Sequence, residues 1–204
     1  MVNLMRDRTS TISACLLAVC LAALTGCASH STRVAAGGML SADYYRTVGL
    51  TPPIAVQAVM AQCVPPDGWK PEPLKQSERH THQVWLSPTG KTAYGVIHFK
   101  LPLPVGVNIV YWEFLRELKK KEGTATELSR ESDPALPGLR FVCEGGRYKM
   151  RVNLIVDGFD GWAVYAGTLR EFAEVPAELI LAERARENTI IGLPPDRQAS
   201  AIDE

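Results

Sequence analysis

The sequence predicts an α+β fold, an antiparallel sheet of five to six strands covered by helices, and three observations carry that expectation. Residues 81–100, THQVWLSPTGKTAYGVIHFK, read as two strands joined at a Pro-Gly turn. Residues 147–157, RYKMRVNLIVD, alternate apolar and polar side chains, whereas residues 108–123, NIVYWEFLRELKKKEG, switch to a helical period. Strands that arrive in hairpins with helices between them build antiparallel sheets with helices laid over them.

The chain has 204 residues, 46% of them hydrophobic, enough for one domain with its own core. Its 22 basic and 22 acidic residues balance, with no basic stripe of the kind that phosphate-backbone binding needs, so nucleic acid is not an expected partner.

Residues 1–26 differ in kind from the rest. Arg6 and Arg8 precede an apolar run from Ile12 to Leu24, and no charged residue follows until Arg33. This is the pattern of a secretory signal; the strongly apolar part is only 13 residues, short of the roughly 20 a spanning helix requires. Leu24-Thr25-Gly26-Cys27 at its end resembles a bacterial lipobox. The resemblance implies cleavage before Cys27 and attachment of lipid to its sulfur and new amino group. Several acyl chains hold a protein to a membrane stably, where one gives only marginal binding. Ala28, in the next position, does not resemble an inner-membrane retention signal. In a Gram-negative host that implies the outer membrane, with the chain facing the periplasm.

The remaining expected boundaries are a lipidated flexible tether at 27–40, a single α+β domain at 41–192 and a disordered tail at 193–204. Within the domain, PPIAVQAVMAQC (52–63) has Pro53 to open a helix and Ile54, Ala58 and Ala61 at helical spacing. The hairpin at 81–100 follows. In the next helix Tyr111, Phe114, Leu115 and Leu118 share one face, Lys119 to Lys121 suit its negative pole, and Gly123 stops it. Leu139, Phe141 and Cys143 then share one face of a strand, and Tyr148, Met150, Val152, Leu154 and Val156 the buried face of the next. A third strand covers 162–170, and a final helix runs from about Pro176 to Ile191, ended by Gly192 with Pro194 and Pro195. With Gly68-Trp69 before the hairpin and Leu136-Pro137-Gly138 before a strand, residues 65–192 resemble the PsbP-like superfamily, which includes DcrB-like bacterial lipoproteins. That resemblance transfers no functional residue.

Removing Cys15 and Cys20 with the leader and acylating Cys27 leaves Cys63 and Cys143 as the thiols of the mature chain. Outside the cytoplasm they suggest one disulfide, worth roughly 4 to 5 kcal/mol in the chain-entropy model; two separate buried thiols are the alternative. Neither has a Cys or His at metal-ligand spacing.

Among other candidates, Glu78, His80 and His82 would share one face of a strand start and offer a carboxylate and two imidazoles to a metal. A solvated strand start is the plainer reading, and no metal or other cofactor is expected. His98, in VIHFK, reads as a strand residue with a satisfied hydrogen bond. No Gly-x-Ser-x-Gly elbow, Walker motif or dinucleotide glycine pattern is present, and Glu127 with Glu131 reads as solvated charge. The aromatics are expected to fill the space between sheet and helices, except Trp85, which alternates with Val84 and Leu86 and is expected at a surface contact. The functional expectation is a membrane-anchored envelope lipoprotein whose domain is a non-catalytic interaction module for an envelope protein or cell-wall partner. The alternative is a periplasmic enzyme or metal-binding protein using His80 and His82.

Overall fold

The computed structural model describes residues 42–133, 138–171 and 175–192. The expected signal, the tether and the tail lie outside the described residues. A short helix α1 (Ala42–Thr47) is followed by β1 (Ile54–Val56), a 3-10 turn (Gln57–Val59), β2 (Ala61–Cys63), β3 (Lys70–Pro71), β4 (Lys75–Gln76), β5 (His80–Leu86) and β6 (Thr92–Lys100). Helix α2 (Val107–Glu122) precedes β7 (Ala125–Asp133), β8 (Gly138–Gly145), β9 (Tyr148–Asp157) and β10 (Asp160–Leu169), and α3 (Pro176–Asn188) leads into β11 (Ile190–Ile191).

The fold is α+β and every described strand pair is antiparallel. The main sheet has eight strands rather than five to six, in the order β3-β5-β6-β10-β9-β8-β7, with β4 also paired to β5; β1, β2 and β11 make a separate three-stranded sheet. The extra strands escape pattern reading for identifiable reasons. In β7, ATELSRESD, Leu128 is the only large apolar residue, and the strand forms by pairing with β8 through a register shift at Glu127/Ser129. Charges and a bulge are how proteins protect a sheet edge, and they erase the period-2 signal. β3 and β4 are two residues each, pairing with the two ends of β5.

Residues 52–63 correct the sequence reading: they form a β-hairpin and not a helix. Val59, Ala61 and Cys63 are buried while Gln62 is not, an alternation that the helical spacing of Ile54, Ala58 and Ala61 hides. Met60, at φ +51°, reverses the chain in the left-handed region. The buried indole Nε1 of Trp162 donates to the Val59 carbonyl at 3.0 Å, fixing this small sheet to the main one. Helix α3 stops earlier than expected: Thr189 Oγ1 turns back to the Ala185 carbonyl at 2.8 Å, and Ile190 and Ile191 pair with Gln62 and Ala61 instead.

The main sheet separates two clusters of buried side chains. Trp85, Tyr94, Val96, Ile155, Trp162, Val164 and Ala166 point to one side, where they meet Tyr45, Leu50, Val59, Cys63, Ala182 and Ala185. Leu139, Phe141, Cys143, Val152, Leu154, Val156 and Ala163 point to the other, where they meet Val110 and Tyr111 of α2, backed by Phe114, Leu115 and Leu118. The helical face read from sequence thus lies on the second side, and α3 lies on the first.

Candidate functional site

Cys27 lies outside the described residues. The disulfide between Cys63 and Cys143 is absent: both are free, buried thiols, Cys63 in the first cluster and Cys143 in the second, so the sheet stands between them. Burial pushes each thiol up to about 12, so neither is poised as a nucleophile.

The histidine group does not converge. Glu78 precedes β5, and His80 at the exposed strand start shares a 2.9 Å hydrogen bond between its Nδ1 and Ser77 Oγ. The half-buried His82 shares a 2.7 Å hydrogen bond between its Nε2 and the Tyr165 hydroxyl, from two strands away. Burial first, then Lys75, His80 and Lys121, push its imidazole down to about 4. Among the described residues no three His, Cys, Asp or Glu side chains gather as metal ligands. His98 Nε2 lies 2.7 Å from Asp160 Oδ1 and its ring tilts against Trp162.

Trp85 is not a surface contact. It is 6% exposed and stacks on Tyr94 at 5.2 Å, facing opposite to Val84 as alternation requires but toward the first cluster. A covering layer made by α3, α1 and the small sheet meets that face, and only long-range structure could reveal it. The exposed tryptophan is Trp112 on α2, at 58%. It adjoins Tyr111, whose hydroxyl donates to Glu127, while the Arg130 guanidinium lies over both rings at 4.9 and 5.6 Å. Glu127 is therefore a partner of Tyr111 and not merely a solvated charge.

The site that pattern reading missed is a polar groove of about 280 Å³ between α3 and the β7–β8–β9 part of the sheet. Its walls include Ser129, Glu131, Arg140, Arg151, Arg186 and Glu187, with Arg130 at the border. Arg151 and Asn153 alternate with Val152 and Leu154, so the polar face of β9 turns toward α3 and the apolar face toward α2. In the β8–β9 register Arg140 stands opposite Asn153, and Val142 opposite Arg151. Arg186 descends from α3, its Nη1 donating to Asn153 Oδ1 at 2.6 Å and its Nη2 to Glu187 Oε1 at 3.2 Å. Its Nε is buried with no hydrogen-bond partner. Arg151 pairs with Glu183 of α3. Burial, with Arg140 and Arg151 repelling its charge, lowers the Arg186 pKa from its usual value, against the pull of Glu187 and Glu183.

Arginine density of this kind can hold an oxyanion, because each guanidinium presents several donors in a fixed plane. The signal in the sequence was half present: alternation marks Arg151 and Asn153 as the polar face of β9, but nothing local says that Arg186, 33 residues beyond Asn153, returns over it. The chain matches no protein-family model and no curated protein. Among the described residues no helix is long and apolar enough to cross a membrane.

Proposed function

We propose that this chain is an envelope lipoprotein, held by lipid on Cys27 to the periplasmic face of a membrane, the outer one in a Gram-negative host, whose domain is a non-catalytic binding module. The basic-then-apolar leader ending in Leu24-Thr25-Gly26-Cys27 supports the address. The single observation that carries the binding reading is the groove, where charged side chains of α3 and the sheet converge on a recess open to solvent. Its groups are guanidiniums and carboxylates paired with one another, suited to holding a charged partner in the envelope. The order of hairpin, helix, four sheet strands and helix supports the PsbP-like resemblance as part of this proposal.

The periplasmic enzyme or metal-binding alternative has less behind it: His80 is tied to Ser77 and His82 to Tyr165, with no third ligand beside them among the described residues. The test of the anchor is fractionation of cells making the parent chain and Cys27→Ala. The parent is expected in membranes with a mature mass that lacks residues 1–26 and carries acyl chains. A Cys27→Ala chain that sediments with membranes at an unchanged mature mass would overturn the anchor.

A further inference from the structure

We propose that the groove between α3 and β8–β9 binds a phosphate group, bridged by the guanidiniums of Arg140, Arg151 and Arg186. The inference rests on the binding-module reading and names the chemistry of its ligand.

Three arginines reach the same recess from three elements: Arg140 from β8, Arg151 from β9, Arg186 from α3. A carboxylate offers two oxygens in one plane and satisfies a single guanidinium fork, whereas a phosphate offers oxygens in tetrahedral directions and suits forks arriving from several sides. Arg186 is the most telling of the three. It is 9% exposed, with one N–H left without an acceptor, in a position where burial should require every donor to be satisfied. That Nε is enclosed by protein, so an oxyanion in the groove would meet Arg186 through Nη2 as Glu187 turns away, and would offset the repulsion among three cations.

The acidic neighbours explain how the cluster persists without a ligand. Glu183 holds Arg151, Glu187 holds Arg186, and Glu131 stands on the wall. The Glu187 side chain is 58% exposed, so it can swing into solvent and yield its place on Arg186. Helix α3 presents its C-terminal half here, where the dipole is negative, so attraction for an anion comes from the guanidiniums alone. Affinity should accordingly fall steeply when arginine charge is removed or salt is added.

The test uses the full-length chain purified in neutral detergent and titrated calorimetrically with inorganic phosphate at low ionic strength. Saturable binding is expected. Arg140→Gln, at an exposed position of β8, should weaken it about tenfold or more. Arg116→Gln, on the exposed side of α2 away from the groove, should leave it unchanged. Urea midpoints of the variants establish that they fold, and Arg151→Gln gives an independent reading should Arg140→Gln not fold. Dihexanoyl phosphatidic acid separates the sources: binding much tighter than inorganic phosphate assigns the site to a lipid headgroup, and equal binding assigns it to a free phosphate. Absence of saturation, equal binding by Arg140→Gln and Arg116→Gln, or capture of a glutamate-rich peptide in place of phosphate would each overturn the proposal. Those outcomes are independent of the Cys27→Ala fractionation.

Discussion

His82 shows how one side chain writes a pH dependence into the fold. Its ring is half buried on β5 and bonded through Nε2 to Tyr165, while Lys75, His80 and Lys121 add positive potential around it. Held down at about 4 against an ordinary 6.5, the ring stays neutral in the folded chain where the unfolded chain would already be protonated. The sign follows: the contribution of His82 to stability is complete above about pH 6.5 and is lost as the pH falls through 4, an effect on the order of 3 kcal/mol at most. His82→Gln keeps a hydrogen-bonding group for Tyr165 but cannot titrate. Urea unfolding at pH 7 and pH 4 should show a smaller acid loss in His82→Gln than in the parent; an equal loss would assign the acid sensitivity to other groups. Arg186 is the matching case among the cations, and Arg186→Met tests it. The substitution removes a buried charge with an unpaired N–H but also leaves Asn153 Oδ1 without its donor, and Met fills less of the space. The net expectation is destabilisation of about 1 to 3 kcal/mol, read as a lower urea midpoint.

At the scale of elements, glycines decide which aromatic rings can lie against the main sheet. Tyr165 on β10 stands opposite Gly95 on β6, and a Cβ at Gly95 would meet the Tyr165 ring at 2.5 Å. The bare glycine lets that ring cross β6 and reach His82 on β5. Phe99 uses Gly161 in the same way, where a Cβ would meet the ring at 2.2 Å. Gly95→Ala should therefore cost about 1 to 3 kcal/mol and, by displacing Tyr165, let His82 titrate nearer its ordinary value. Urea unfolding and an NMR titration of the His82 ring check the two halves separately; an unchanged His82 titration would show that the ring stays as buried as in the parent. Gly146, by contrast, serves a turn. A Cβ there would lie 2.3 Å from the carbonyl oxygen of Glu122, whose carboxylate holds the Arg147 guanidinium at 3.0 and 3.2 Å. The C-terminus of α2 is thereby fastened to the β8–β9 turn. In sequence, Gly145-Gly146 signals the turn, and alternation marks β8, β9 and β10 well, since each carries a buried apolar set on at least one face. The hairpin at 52–63 and the edge strand β7 were not legible. The first spends its apolar residues over so short a span that helical and extended spacings coincide, and the second carries almost no apolar residues at all. The groove was readable only in part for a related reason: local pattern gives the outward face of a strand, but which helix crosses that face is a long-range fact.

Across the whole molecule, the main sheet is a shared wall between two cores, and this bears on the cysteines. Alternate residues of β10 serve opposite sides: Trp162, Val164 and Ala166 face Cys63 and its neighbours, while Ala163 faces Cys143 and its neighbours. Neither cluster can come apart without disturbing the strand that supports the other, so the two should lose their packing together. Trp162 strengthens the coupling on its side through the hydrogen bond to Val59, which joins the β1–β2 hairpin to the same strand. The thiols report on each side separately, because both are 0% exposed and both are pushed up to about 12 by burial. At pH 8 in native buffer, peptides containing Cys63 and Cys143 should show almost no alkylation. With increasing urea, both should become labelled over one transition, at the midpoint seen by tryptophan fluorescence. Labelling of Cys63 well before Cys143 would mean that α3 and the small sheet open as a unit of their own and that the wall does not couple the cores. Trp162→Phe should bring that separation closer: it deletes the indole N–H and leaves the Val59 carbonyl without its donor, lowering the Cys63 midpoint more than that of Cys143.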